Sequence, residues 1–230
     1  MASVSATSPF PAAAPAPART PGDLALVVMA RLAPVLRHDL NNLMTVLKLD
    51  LSGARARARR AALDTARVTV LLDSLHDGLA RLAEAQARLV AWLDAAPAPV
   101  AVGPTLAELA ELLQGACSLR GRSLGVAAHA LERNAGAERH ALRLLTAAAV
   151  LAIVDGAWAD GGIELDADSR DARIVVVLRR VADGAARALP LAPPPRELRL
   201  LLDDVAALAR DCGWSLAASA DELRLTGPQG

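Results

Sequence analysis

Aromatic residues are almost missing from this chain: its 230 residues include three tryptophans, one phenylalanine and no tyrosine. That scarcity excludes a nucleic-acid module built on stacking rings and leaves an aliphatic core. Net charge is missing too. The 25 basic residues balance the 25 acidic ones, so nothing favours electrostatic capture of nucleic acid or of an anionic membrane. Cysteine is reduced to Cys117 and Cys212, which form neither a disulfide framework nor a CxxC pair. A reducing compartment fits, with each thiol a small buried apolar group. The best candidate for a membrane span, "LALVVMARLAPVL", is too short and is interrupted by Arg31 and Pro34. The opening residues lack the basic and continuously apolar regions of a signal peptide, and residues 1–21 read as a disordered Pro/Ala-rich tail. The expectation is a soluble, cytoplasmic protein.

Apolar residues make up 53% of the chain, ample for a core. From residue 22 to about 54, Leu26, Met29, Leu32, Leu36, Leu40, Leu43, Leu47 and Leu51 follow at steps of three or four. That spacing predicts an amphipathic helix, capped by Asp23 and kinked by Pro34. Ser52 and Gly53 predict a turn. The alternating arginines after it read as a solvated hairpin tip or as a patch for an anionic partner. A second helix is predicted from about 61 to 95, with a heptad seam at Val68, Leu72, Leu75, Leu79, Leu82, Gln86, Leu89 and Leu93. Residues 22–95 are therefore expected to form an antiparallel helical hairpin. Two helices alone cannot cover its apolar stripe. Pairing of two copies into a four-helix bundle covers it, and packing on the rest of the chain is the alternative.

A Pro-rich linker, 96–104, precedes a mixed region, 105–228. Its pattern predicts a helix at 105–117, a strand at 124–131, an apolar helix at 137–159 and strands "GIELDAD" and "ARIVVVLRRVA". A Pro-rich loop, a helix at 196–212 and a closing hairpin follow. The fold class is α+β: the helical hairpin followed by an α/β sandwich with helices on one sheet face.

The chemistry concentrates in "RHDLNNLMTVLKL", residues 37–49. At about 100° per residue, Leu36, Leu40, Leu43 and Leu47 fall on the core side, and His38, Asn41, Asn42, Thr45 and Lys48 fall opposite. An exposed neutral imidazole is a competent nucleophile near neutral pH. The neighbouring Asp39 carboxylate can take a proton from one ring nitrogen while the other attacks. Asn42, one turn on, can orient a phosphoryl oxygen or a water. Arg37 and Lys48 flank the strip and suit an acidic partner pocket, or simply solubility. The other chemistry-bearing residues have weaker settings. His76 lies between Asp73 and Asp77 without neighbouring amides. His129 and His140 have no ligand-spaced partner. Ser118 and Ser123 lack a base at motif spacing. Trp92, Trp158 and Trp214 read as packing residues.

"RHDLNNLMTVL" resembles the H-box of the sensor histidine kinase dimerisation and phosphotransfer domain. The hairpin and the following α/β region are similar to that family's layout. The resemblance implies that His38 is the phosphoacceptor, Asp39 the adjacent acid and orienter, and Asn42 the residue that positions phosphoryl or water. It also implies a histidine-kinase-ATPase-like sandwich over 105–228. The nucleotide motifs of that family are nevertheless missing. "LRLLTAAAVLAIVDGAWA" carries alanine, valine and isoleucine where amide side chains would hold Mg²⁺ and phosphate, and leaves Asp155 as the one nearby acid. Asp183-Gly184 is an isolated echo of the first glycine box, and no glycine occurs from 185 to 212. Backbone amides cannot close on a triphosphate where bulky residues and prolines replace glycine.

With ATP binding lost, the pattern resembles the dimeric histidine phosphotransferases of bacterial phosphorelays. The implied activity is shuttling of a phosphoryl group between receiver-domain aspartates through His38. The chain would need no cofactor or metal of its own, with Mg²⁺ on the partner receiver. Response-regulator receiver domains and a second copy of the chain are the expected partners, with Arg37, Asn41, Thr45 and Lys48 at the contact. The rivals are a non-catalytic pseudokinase scaffold or response-regulator antagonist, and a divergent sensor kinase that retains ATP.

Overall fold

In a computed structural model of the chain, the described residues are 19–60, 65–93, 96–182 and 194–229. The chain opens with α1 (Pro21–Arg60) and α2 (Thr65–Leu93). Thr20 and Asp23 start α1 as a capping box: the Thr20 hydroxyl accepts from the Asp23 N–H at 3.2 Å, and Asp23 Oδ2 accepts from the Thr20 N–H at 3.0 Å. The cap is thus Thr20, with Asp23 answering it from the first turn. The turn expected at Ser52-Gly53 does not form, and the helix continues through it to Arg60. Alanine and arginine are among the strongest helix formers, and their run after Gly53 outweighs one Ser-Gly pair.

The two helices pack antiparallel over Leu40, Leu43 and Leu47 of α1 and Val68, Leu75 and Leu82 of α2, all half-buried. Gly78 faces α1, where a Cβ would meet the Leu47 side chain. The first half of α1 does something the expected stripe does not. It buries Leu24, Val27, Val28 and Leu32 in the core of the following α/β region, while Leu26 is 69% exposed. The alternative in which part of the stripe packs on the rest of the chain therefore holds for this half of the helix.

The α/β region comprises β1 (Pro99–Ala101), α3 (Val102–Ser118), β2 (Leu124–Val126), α4 (Ala128–Leu131) and β3 (Gly136–Glu138). It continues with α5 (Arg139–Ala152), β4 (Gly162–Arg170), β5 (Arg173–Val181), α6 (Leu202–Asp211), β6 (Ser215–Ala218) and β7 (Glu222–Pro228). Five strands form one sheet in the order β2-β4-β5-β7-β6, with β2 parallel to β4 and the rest antiparallel. β1 and β3 pair separately. The predicted strand at 124–131 is cut to three residues. Ala127 donates its N–H to Leu165, and Ala-His-Ala-Leu then turns into α4.

Ile163, Leu165, Ala167, Ile174, Val176, Leu178, Leu223 and Leu225 point from the sheet into one core with α3, α5 and α6. This is the alternation of a sheet covered on one face. Trp92, Trp158 and Trp214 are buried in that core. The Trp214 ring lies against Gly227, where a Cβ has no room. Among the described residues one helix, Arg139–Ala157, is long and apolar enough to cross a membrane, and 78% of its most apolar window is buried inside the fold. Its apolarity is that of a core helix. α5 starts on Glu138, whose carboxylate accepts from the His140 and Ala141 N–H groups. It ends in a π-helical turn, Ile153–Ala157, where Gly156 takes φ +120°.

Candidate functional site

α1 places His38 on an exposed face in mid-helix, with Arg37, Asn41, Asn42, Thr45 and Lys48, all exposed. Asn42 Nδ2 lies 3.2 Å from His38 Nδ1 and 3.4 Å from Nε2, so the amide one turn on rests against the ring. The Thr45 hydroxyl donates to the Asn41 carbonyl at 2.8 Å. That bond turns the hydroxyl back toward the helix. The Asp39 side chain lies outside the described residues, as do Asp183-Gly184 and the Pro-rich loop to Pro193.

Toward its N-terminus the same face of α1 runs under the α/β region. Seven residues before His38, Arg31 lies on the same face of the helix, about 10.5 Å up the axis. Its guanidinium donates to Asp155 Oδ2 at 2.6 Å and to the Leu198 carbonyl at 3.1 Å. Asp155 Oδ2 also accepts the Leu200 N–H at 2.9 Å. The Asp155 side chain is fully buried. So the acid that the sequence left for a metal is bound to an arginine from the hairpin. The α5 side chains from Ala141 to Ala152 are all buried. Leu24, Val27, Val28 and Arg31 form the covered continuation of the face that emerges as His38, Asn42 and Thr45. The histidine sits where α1 leaves the cover of the α/β region.

Solved structures similar to this chain include those of histidine kinases. The Acinetobacter baumannii histidine kinase AdeS matches with a TM-score of 0.42 at 12% identity, over 84% of this chain and 98% of that one. Full-length ShkA, in complex with AMPPNP, matches with a TM-score of 0.42 at 16% identity, over 92% of this chain and 46% of ShkA. The catalytic domain of the histidine kinase ThkA matches with a TM-score of 0.40 at 8% identity, over 58% of this chain and 97% of that one. No protein-family model and no curated protein sequence matches. At these TM-scores the functional reading rests on the residues themselves.

Two groupings were not visible in the sequence. Arg143 of α5 pairs with Glu108 of α3 at 2.8 Å, donates to the Ala91 carbonyl at 3.3 Å and lies 5.6 Å from the centre of the Trp92 ring. It therefore fastens the end of α2. A cavity of about 30 Å³, room for one water, adjoins it between Met29, Trp92, His140 and Leu144. On the outer sheet face, His129 Nε2 lies 2.6 Å from Asp166 Oδ1, and Arg179 holds the other Asp166 oxygen at 2.7 Å. Spacing could not reveal these, since the partners are 13 to 52 residues apart. The signal that was available is Arg31, a charge in an apolar run one heptad before His38. Among the described residues no group of three or more His, Cys, Asp or Glu is placed to hold a metal ion. His76 is exposed on α2.

Proposed function

We infer that the protein is a cytoplasmic, homodimeric histidine phosphotransferase of a two-component phosphorelay, acting through His38 without ATP. The observation that carries this reading is an exposed imidazole in mid-helix with the Asn42 amide 3.2 Å away. A lone pair of the imidazole attacks the phosphorus of an aspartyl phosphate on a receiver domain. The N–P bond forms as the P–O bond breaks, and its electron pair returns to the aspartyl carboxylate. The proton on the second ring nitrogen passes to a base, which the sequence assigns to Asp39. Reversal on a second receiver completes the relay. Mg²⁺ on the receiver screens the transferring oxygens, so the histidine protein contributes nucleophile and position. Arg37, Asn41, Thr45 and Lys48 border the approach.

Loss of ATP is supported by the engagement of Asp155 with Arg31 and the Leu200 amide, together with the missing glycine boxes. Dimerisation is supported by Met44 and Leu51 of α1 and Leu72 and Leu79 of α2, all exposed. In an antiparallel pair these four fall on one side of the hairpin, away from the histidine strip.

The test is transfer from receiver domains of the same genome, each charged with acetyl phosphate. Acid-labile label on the wild-type chain, and none on His38→Ala, is the expected result. A His38→Ala protein that binds and inhibits receivers as well as wild type would establish the scaffold reading instead. Label from ATP and Mg²⁺ alone would establish a kinase.

A further inference from the structure

His129 and Asp166 meet on the outer face of the sheet, with His129 Nε2 2.6 Å from Asp166 Oδ1. The acid is fixed. Its Oδ1 also accepts the Ala167 N–H at 2.7 Å, and its Oδ2 accepts from Arg179 at 2.7 Å. Exposure divides sharply between the two side chains: 61% for His129 and 8% for Asp166. The backbone that carries His129 is tied down as well. Ala127 donates to the Leu165 carbonyl of β4 at 2.8 Å, and the Gly103 N–H donates to the Arg133 carbonyl at 3.0 Å. A Cβ at Gly103 would strike the Ala130 and Leu131 carbonyls, so the start of α3 lies directly against α4.

A carboxylate in this position accepts the proton of Nε2, and the lone pair of the ring is then on Nδ1. Such a bond selects one tautomer and aims the ring. Arg179 balances the Asp166 charge, so no charged ring is required to keep the acid buried. The arrangement that the sequence suggests for His38 and Asp39 is thus in place at His129 and Asp166. Arg133 follows four residues later, with its guanidinium 3.5 Å from Asp168 Oδ1. Asp166 and Asp168 share one face of β4 and lie roughly 6–7 Å apart, so the imidazole and the guanidinium can flank one phosphate group. Among the described residues no group of three His, Cys, Asp or Glu is placed to hold a metal ion there, which leaves the chemistry of the ring itself.

We propose that His129 is a second nucleophilic histidine, a site at which small acyl phosphates modify the chain, with Asp166 as its positioning residue. The Nδ1 lone pair attacks phosphorus. The N–P bond forms as the P–O bond to the acyl group breaks, and that electron pair leaves with the carboxylate. The Nε2 proton is taken up by Asp166 and passes to water. Arg133 faces the phosphoryl oxygens. This chemistry stands apart from the phosphotransfer reading of His38, in which the donor is a receiver domain.

The experiment uses the full chain with His38→Ala, so that the hairpin site is silent. The protein is incubated with acetyl phosphate, and acid-labile label is mapped residue by residue by mass spectrometry at neutral pH. His76, also exposed, is the internal reference. His129 is expected to gain label roughly ten times faster than His76, equal to about 1.4 kcal/mol. Adding His129→Gln removes that label and leaves His76 unchanged. Adding Asp166→Asn brings the His129 rate down to that of His76, with circular dichroism as the check on folding. Nitrogen NMR of the ring is expected to show the Nε2–H tautomer in the parent chain and a mixture of tautomers in Asp166→Asn. Equal rates at His129 and His76, a rate indifferent to Asp166→Asn, or an Nδ1–H ring would each overturn the proposal. Where Asp166→Asn does not fold, the rate ratio and the tautomer of the parent chain decide. Transfer from a receiver to His38 is scored in the unmodified chain, so failure at His129 leaves that reading standing.

Discussion

Arg31 and His38 stand on the same face of α1, seven residues apart, yet one is covered and the other exposed. The guanidinium of Arg31 is closed over by the α/β region through Asp155, and two turns later His38 faces solvent. The helix therefore passes from a core element to a reactive surface within about two turns.

Asn42 touches the His38 ring through a neutral contact at 3.2 Å. In the transfer state, where the reacting groups are closed off from water, one such contact is worth about 0.5–1.5 kcal/mol. Asn42→Ala is therefore expected to slow phosphoramidate labelling of His38 by roughly two- to tenfold. Stability should change by no more than about 0.5 kcal/mol, since both residues are exposed. Labelling kinetics and urea unfolding measure the two effects.

Leu72 and Leu79 are each 58% exposed on one side of α2. Leu72→Glu with Leu79→Glu is expected to convert a dimer to a monomer in light scattering after gel filtration. Helix content by circular dichroism should be retained, because the face packed on α1 is untouched. A wild-type chain that is monomeric at micromolar concentration would remove the dimer from the proposal.

A methyl group at Gly78 would meet the Leu47 side chain, which must shift to admit it. Gly78→Ala gains helix propensity but overpacks the hairpin. Overpacking costs about 1–3 kcal/mol, against roughly 1 kcal/mol returned by propensity. The expected outcome is net destabilisation, relieved when Leu47→Ala is added. A double-mutant cycle by urea unfolding reads the coupling.

Three surface carboxylates titrate low in the folded chain. The hydrogen bond from Arg170 lowers Asp168, that from Arg224 lowers Glu222, and that from Thr20 lowers Asp23. A depressed folded pKa adds stability that is present above the unfolded value and is lost as pH falls through the folded one. The melting temperature is therefore expected to hold from neutrality to about pH 5 and to drop below about pH 4. Salt should shrink the drop, since the groups are exposed. A melting temperature rising between pH 5 and pH 3 would contradict these shifts.

Much of the α/β region was legible in advance. β4 alternates apolar and acidic residues, β5 is a run of β-branched residues bounded by arginines, and α5 is largely apolar, so local pattern and final structure agree there. The failures have particular causes. At Ser52-Gly53 a turn signal lost to the helix-forming Ala/Arg run behind it. At 124–131 the apolar pattern continued while the sheet did not, because β2 is a short edge strand and the chain must turn into α4. At the site, His38 and its amide neighbours were legible from their spacing. Arg31 was visible only as a flaw in an apolar stretch.

The sequence by itself determined that a helix would carry a histidine and two asparagines on its polar side. Neighbours at three and four residues along the chain decide that arrangement without outside help. Only the tertiary structure decided which side of the first half of α1 is covered. Leu24, Leu26, Val27, Val28 and Met29 surround the helix with apolar groups, so periodicity has no phase to offer there. The choice falls to a partner surface more than a hundred residues away, where Asp155 waits for an arginine.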